Sequence, residues 1–261
     1  MIIIRSILFN ILFYLNLVVL LLIAVPTLVM PRRAVIEMAR TWGRTSLWLL
    51  RKVCRIGVEW RGLEKIPPGG VLIAAKHQSI WETFALMTVV PDPTFIVKRE
   101  LLWIPLFGGC LRRAGMIPID RGAGKAALFS MLVHARKAIA DGRQIVIFPE
   151  GTRRAPGAPP KYKSGVAHLY EAIGAPCVPI ALNSGLFWPR RRFLRYPGTV
   201  RVEVLDPIPP GLDRDVFLTE LERDLESATA RLIAEGMSEL GGADPAMAGG
   251  AGGSEARRAA R

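Results

Sequence analysis

Two short segments hold residue types suited to proton transfer beside an anionic group. In AAKHQSIWET, residues 74–83, His77 and Glu82 are five positions apart, at the end of an apolar run and the start of a helical pattern. A carboxylate at that spacing can accept from one imidazole nitrogen and leave the other free as a base. The same letters have a second reading. Ser79-x-x-Glu82 is a capping box, in which the glutamate does no more than satisfy backbone N–H groups. In QIVIFPEGTRR, residues 144–154, an apolar run leads into Pro149, Glu150, Gly151, Thr152, Arg153 and Arg154. A guanidinium beside a glycine that lets the backbone approach suits a phosphate held by two parallel hydrogen bonds. Against that stands a solvated turn with surface arginines.

A third segment, FIVKRELLWIPLFGGCLRRAGMIPIDR (95–121), places Lys98 and Arg99 after one apolar run and Asp120 and Arg121 after the next. Lys98 and Arg121 are candidates to join Arg153 around one anion. The stretch with Trp103, Pro105, Leu106 and Phe107 either borders an apolar ligand or membrane surface, or supplies plain core through Leu102, Leu106 and Leu111. VPIALNSG (178–185) ends near the same edge and adds little alone. A G-x-S-x-G nucleophile elbow, a Walker pattern and a dinucleotide fingerprint are all missing. Cys54, Cys110 and Cys177 show no C-x-x-C spacing, and His77, His134 and His168 are isolated. Neither a metal site nor a disulfide framework is expected, and the cysteines read as buried apolar residues in a reducing compartment.

These segments need a scaffold, and the chain supplies one. Apolar runs at 71–76, 94–98, 116–119, 144–149, 177–182 and 199–205 read as strands. Helical patterns at about 80–90, 104–114, 123–140, 164–173 and 213–236 lie between or after them. The alternation predicts an α/β fold, a mostly parallel mixed sheet flanked by helices, with sites at strand-to-helix turns. Ahead of it, residues 6–31 carry no charge and would form a helix of roughly 39 Å, enough for a bilayer core of about 30 Å. Residues 34–60 read as a helix mixing Trp42 and Trp48 with basic residues, fit for the headgroup interface or for packing on the domain. The expected division is an anchor and interfacial helix at 1–56, a catalytic domain at 57–240, and a disordered Gly/Ala-rich tail at 241–261. Asn10, Asn16 and Pro26 leave open whether the first helix spans or dips. Basic residues from Arg32 onward place the domain on the cytoplasmic side of the inner membrane. Lys plus Arg number 35 against 22 acidic residues, a net charge of +13 that favours anionic partners. With no nucleic-acid-binding module present, lipid is the expected partner and nucleic acid is not.

Taken in order, the four segments resemble the glycerolipid acyltransferase family, and more narrowly its bacterial 1-acyl-sn-glycerol-3-phosphate acyltransferases, over about residues 30–210. The family's His-x4-Asp block is matched by His77 to Glu82, with Glu in place of Asp. Its second block is matched from Lys98 to Arg121, its third by Phe148-Pro149-Glu150-Gly151-Thr152-Arg153, and its fourth by Val178-Pro179-Ile180. The resemblance implies transfer of an acyl group from acyl-CoA or acyl-carrier protein to the sn-2 hydroxyl of lysophosphatidic acid in phospholipid synthesis, with no cofactor. It implies His77 as base, Glu82 as its partner, and Glu150, Gly151, Thr152 and Arg153 at the acceptor, with Lys98 and Arg121 beside them. Two alternatives stand: a different lysolipid acceptor such as lyso-ornithine lipid, and a non-catalytic membrane-anchored protein that binds anionic lipid.

Overall fold

The apolar runs become the strands of one seven-stranded sheet, ordered β1-β7-β6-β2-β5-β3-β4. In chain order the elements are α1 (Ile2–Ile23), α2 (Arg32–Leu49), β1 (Ile56–Arg61), β2 (Val71–Ala75), α3 (Trp81–Val89), β3 (Pro93–Lys98), α4 (Phe107–Arg113) and β4 (Ile117–Ile119). There follow α5 (Gly124–Ala140), β5 (Gln144–Ile147), α6 (Gly165–Ile173), β6 (Cys177–Leu182), α7 (Ser184–Phe187), β7 (Gly198–Val204) and α8 (Arg214–Glu239). This computed structural model describes residues 1–120 and 122–241. Arg121, one of the expected anion-binding cations, and the expected disordered tail from residue 242 onward lie outside the described residues.

Neighbouring strands run parallel except β6 and β7, which are antiparallel. β2 is buried throughout, as a strand covered on both faces must be. Its alternation sorts the two cores. Val71, Ile73 and Ala75 face the layer with α1, α2 and α3. Leu72 and Ala74 face the layer with α5, α6 and α8. β2, β3, β5 and β6 all present their carboxyl ends along one edge, where parallel sheets build sites.

One element departs from the expected pattern. The helix read through residue 60 stops earlier: α2 continues as a wider turn over Leu50–Cys54 and ends at Arg55, whose φ is 57°. Ile56–Arg61 is then strand β1, in register with β7 from Ile56 opposite Gly198 to Arg61 opposite Glu203. The ladder offered by β7 overrides the local helical pattern, because strand formation depends on the neighbour more than on propensity.

α1 and α2 form an antiparallel pair. Asn16 donates to the Thr45 hydroxyl at 2.9 Å, and the Cys54 thiol meets the Arg5 carbonyl. α1 is docked on one side only. Phe9 and Phe13 are buried, and Phe13 packs against Trp42, Phe84 and Trp188 at ring distances of 5.5–5.8 Å. Ile4, Ile7, Ile11, Leu15 and Val18 are exposed on its other side. Trp42 thus faces the protein while Trp48 stays exposed, so the tryptophans expected at one interface divide between two environments.

Candidate active site

Beyond β2 the chain turns through Lys76, His77 and Gln78 before α3 begins. Glu82, in the first turn of α3, has no solvent exposure and four hydrogen bonds. Its Oε1 accepts from the Gln78 N–H at 2.6 Å, the Ser79 N–H at 2.7 Å and His77 Nδ1 at 2.9 Å. Its Oε2 accepts from the Ser184 hydroxyl at 2.8 Å. Oε1 already accepts from two backbone N–H groups, which can only donate, so it receives the Nδ1 proton too. His77 Nε2 is left with its lone pair free, the arrangement a base needs. Both sequence readings of Glu82 hold at once, since the oxygen that caps the helix also holds the imidazole. The ring is fixed on its face by Phe148, stacked at 4.0 Å with planes 15° apart.

The turn after β5 closes over this one. Arg154 N–H donates to the His77 carbonyl at 2.8 Å. Gly151 holds φ at 67°, a value L side chains rarely adopt, and its N–H returns to the Phe148 carbonyl at 2.9 Å. Glu150 points inward. Its Oε2 accepts from the His77 N–H at 3.2 Å and its Oε1 pairs with Lys76 Nζ at 2.8 Å, both side chains being almost fully buried. Lys76 Nζ also pairs with Glu226 of α8, which accepts from the Tyr162 hydroxyl at 2.9 Å. Burial and the adjacent Glu226 charge push the Tyr162 phenol well up, keeping it a donor. Glu150, expected beside an anionic ligand, is therefore occupied on both oxygens from within and tethers the backbone of His77. Breaking such a buried pair at one end costs about 3–5 kcal/mol.

His77, Gly151, Thr152 and Arg153 line one cavity of about 550 Å³, and Lys98 borders it. The remaining walls are mostly apolar: Phe13, Leu17 and Leu21 of α1, Val35 and Trp42 of α2, then α3, β3 and α4. Cys110 lies here too, while Cys54 and Cys177 are buried elsewhere. Arg153 has no ion-pair partner among the described residues, whereas Lys98 pairs with Glu100 at 2.8 Å and Arg99 with Asp120 at 2.8 Å. Of the described cations expected to gather on an anion, Arg153 is the uncommitted one at the cavity, and Lys98 is half-exposed with a carboxylate already in place. Three participants went unnoticed in the sequence. Ser184 stands at the end of β6, Lys76 next to the histidine, and Glu226 far away on α8. Only Lys76, a charged residue at the end of a buried apolar run, carried a local signal.

The site can thus abstract a proton at the floor of an apolar cavity that has a free guanidinium at its rim. Comparison with known proteins agrees with that chemistry. A family model described as Acyltransferase matches residues 57–183. The chain is 36% identical over 196 residues to a 1-acyl-sn-glycerol-3-phosphate acyltransferase of Pseudomonas aeruginosa, covering 75% of this chain and 76% of that one. It is 34% identical over 157 residues to the alpha form of the same enzyme from Mus musculus, covering 59% of this chain and 55% of the mouse protein. The crystal structure of the 1-acyl-sn-glycerophosphate (LPA) acyltransferase PlsC from Thermotoga maritima shares the fold, with a TM-score of 0.73 at 22% identity over 89% of this chain and 98% of that one.

Proposed function

Because this chain belongs to the acyltransferase family, we propose that it moves a fatty acyl group from acyl-CoA or acyl-carrier protein to the sn-2 hydroxyl of lysophosphatidic acid, giving phosphatidic acid for phospholipid synthesis. One observation carries the reading: His77 and Arg153 open onto a single cavity whose far wall is the apolar face of α1 and α2.

In this scheme His77 Nε2 takes the proton of the acceptor hydroxyl as its oxygen attacks the thioester carbonyl. Collapse of the tetrahedral adduct breaks the C–S bond, and the departing sulfur recovers the proton from the imidazolium. Glu82 holds the tautomer and balances the passing charge. No covalent acyl-enzyme is required, because Ser184 donates to Glu82 and thus serves the base rather than the substrate. Arg153 takes the acceptor's phosphate, and Gly151 and Thr152 shape the rim around it. The apolar walls receive acyl chain. The exposed aliphatic face of α1 and the basic residues that begin at Arg32 support attachment to the inner membrane from the cytoplasmic side, through α1 and α2.

The test is an acyl-thioester assay on purified membranes with a panel of lysolipid acceptors. Lysophosphatidate should be the best acceptor. His77→Ala should reduce turnover by about 10²- to 10⁴-fold. Arg153→Ala should raise the KM for lysophosphatidate by about 10- to 100-fold, the value of a charge-assisted contact, and leave the thioester KM alone. Preference for a lysolipid without a phosphate, or full activity without His77, would overturn the assignment.

A further inference from the structure

The loop 189–194, between α7 and β7, takes no part in the chemistry above, yet it joins two regions that matter. At one end Arg190 Nη1 donates to the Arg153 carbonyl at 2.6 Å. Just before it in the chain, Trp188 packs edge-on against Phe9 and Phe13 of α1 at 5.3 and 5.5 Å. Arg195 binds α1 as well: its N–H donates to the Ser6 hydroxyl at 3.0 Å, and its guanidinium donates to the Asn10 side chain at 3.1 Å while lying 4.2 Å over Trp188. The loop is thereby fixed beside the half of α1 whose outward residues, Ile3, Ile4, Ile7, Leu8 and Ile11, are exposed.

What the loop displays is unusual for a surface facing only water. Phe193 is 51% exposed. Arg190 and Arg191 precede it, and Arg153 and Arg154 stand close by. Burial, then the charges of Arg191, Arg153 and Arg154, lower the Arg190 pKa. Among the described residues, no carboxylate lies within ion-pair distance of these four arginines; Arg154 reaches only the Pro159 carbonyl. Arg191 holds φ at 57°, a left-handed conformation that strains a residue with a side chain. Like charges gathered without counter-charge, next to an exposed aromatic and an aliphatic helix face, match a bilayer interface, with lipid phosphates above and acyl chains below.

We propose that the loop 189–194 binds anionic phospholipid headgroups in the plane of the membrane, Arg190 and Arg191 taking the lipid phosphate and Phe193 entering beneath it, and so feeds the rim at Arg153. The proposal rests on the membrane-bound reading given above and adds a second point of attachment to it. A soluble donor's phosphates would account for the arginines but leave Phe193 and its continuity with α1 unexplained.

The full-length protein tests it by sedimentation with vesicles of phosphatidylcholine alone and of phosphatidylcholine mixed with phosphatidylglycerol. Arg191→Gly removes the charge and suits the backbone, so melting should show no loss of stability. It should weaken binding to the mixed vesicles about fivefold, the effect of one interfacial cation, and leave binding to neutral vesicles unchanged. Phe193→Ser should weaken binding to both by about tenfold or more. In mixed vesicles, Arg191→Gly should raise the acceptor KM but neither kcat nor the thioester KM. The idea is overturned if wild-type protein does not discriminate between the vesicles, if Arg191→Gly binds the mixed vesicles normally, or if the thioester KM rises instead. Wild-type protein that binds anionic vesicles through this loop yet acylates no lysophosphatidate would defeat the functional reading and leave the headgroup site standing.

Discussion

At the scale of single residues, the centre of the site is one oxygen. Glu82 Oε1 serves the helix start and the imidazole together, so the two roles must be separated by choice of substitution. In Glu82→Gln the amide oxygen can still accept from all three N–H groups while the amide nitrogen donates to Ser184. The fold should be retained, with an unchanged melting temperature, while kcat falls at least about 10²-fold because the imidazolium loses its counter-charge. Normal kcat in that variant would reduce Glu82 to a cap. Glu82→Ala should lose both, with two buried N–H groups unsatisfied at about 1–3 kcal/mol each. The sequence alone offered cap and dyad as rivals. It could not show them sharing an atom, because that depends on the backbone of His77 folding back over α3, and the contact that fixes it comes from Glu150, 73 residues away. The departure from the family's Asp is also local in meaning: the longer side chain spans the distance from the first turn of α3 back to His77 and onward to Ser184.

Elements were legible where the pattern was strong and opaque where a neighbour decides. The buried strands β2, β5 and β6 announce themselves as continuous apolar runs, and α5, α6 and α8 as periodic segments between or after them. β1 did not, because Ile56–Arg61 becomes a strand only when β7 lies alongside. Nor did the crossing of α2 over α3. Gly43 sits where the two helices touch, and a Cβ there would lie 2.7 Å from the Phe84 carbonyl oxygen and 2.7 Å from Thr88 Cγ2. Gly43→Ala should force α2 off α3 and cost about 1–3 kcal/mol. The effect should appear in activity as well as in the melt, since α3 begins at the residues that hold His77. A variant as stable as wild type would mean that the helices separate without cost. Ser184 and Glu226 were illegible for a related reason. Each is an ordinary polar residue until β6 is laid beside β2 and α8 packs against β6.

The whole molecule depends on how firmly the helical pair is held to the sheet. Among the described residues, α1 is the one helix long and apolar enough to cross a bilayer, but Ser6 and Asn10 are bonded to Arg195 and Asn16 to Thr45. A crossing would carry those domain contacts into hydrocarbon, so the geometry favours a helix lying in one leaflet. A second clasp is Arg32 at the start of α2, which grips Asp92 ahead of β3 through both carboxylate oxygens. Burial pushes the Asp92 carboxyl up, but the Arg32 hydrogen bond and the charges of Arg32 and Arg143 outweigh it and hold the pKa below the ordinary 3.8. A depressed carboxyl contributes stability above its unfolded value and loses it as pH falls through the folded one. Wild type should therefore melt above Asp92→Asn at neutral pH, and the two curves should merge below the ordinary aspartate range; a constant gap down to strong acid would assign the difference to something other than charge. The cavity beside His77 has a further consequence, because α1 and α2 form part of its wall. On the membrane-bound reading proposed above, the acceptor is a two-dimensional population, counted per area of leaflet and not per volume of solution. Adding inert phosphatidylcholine at constant total lysophosphatidate should slow turnover by surface dilution, whereas adding buffer to the same vesicles at saturating thioester should leave it unchanged.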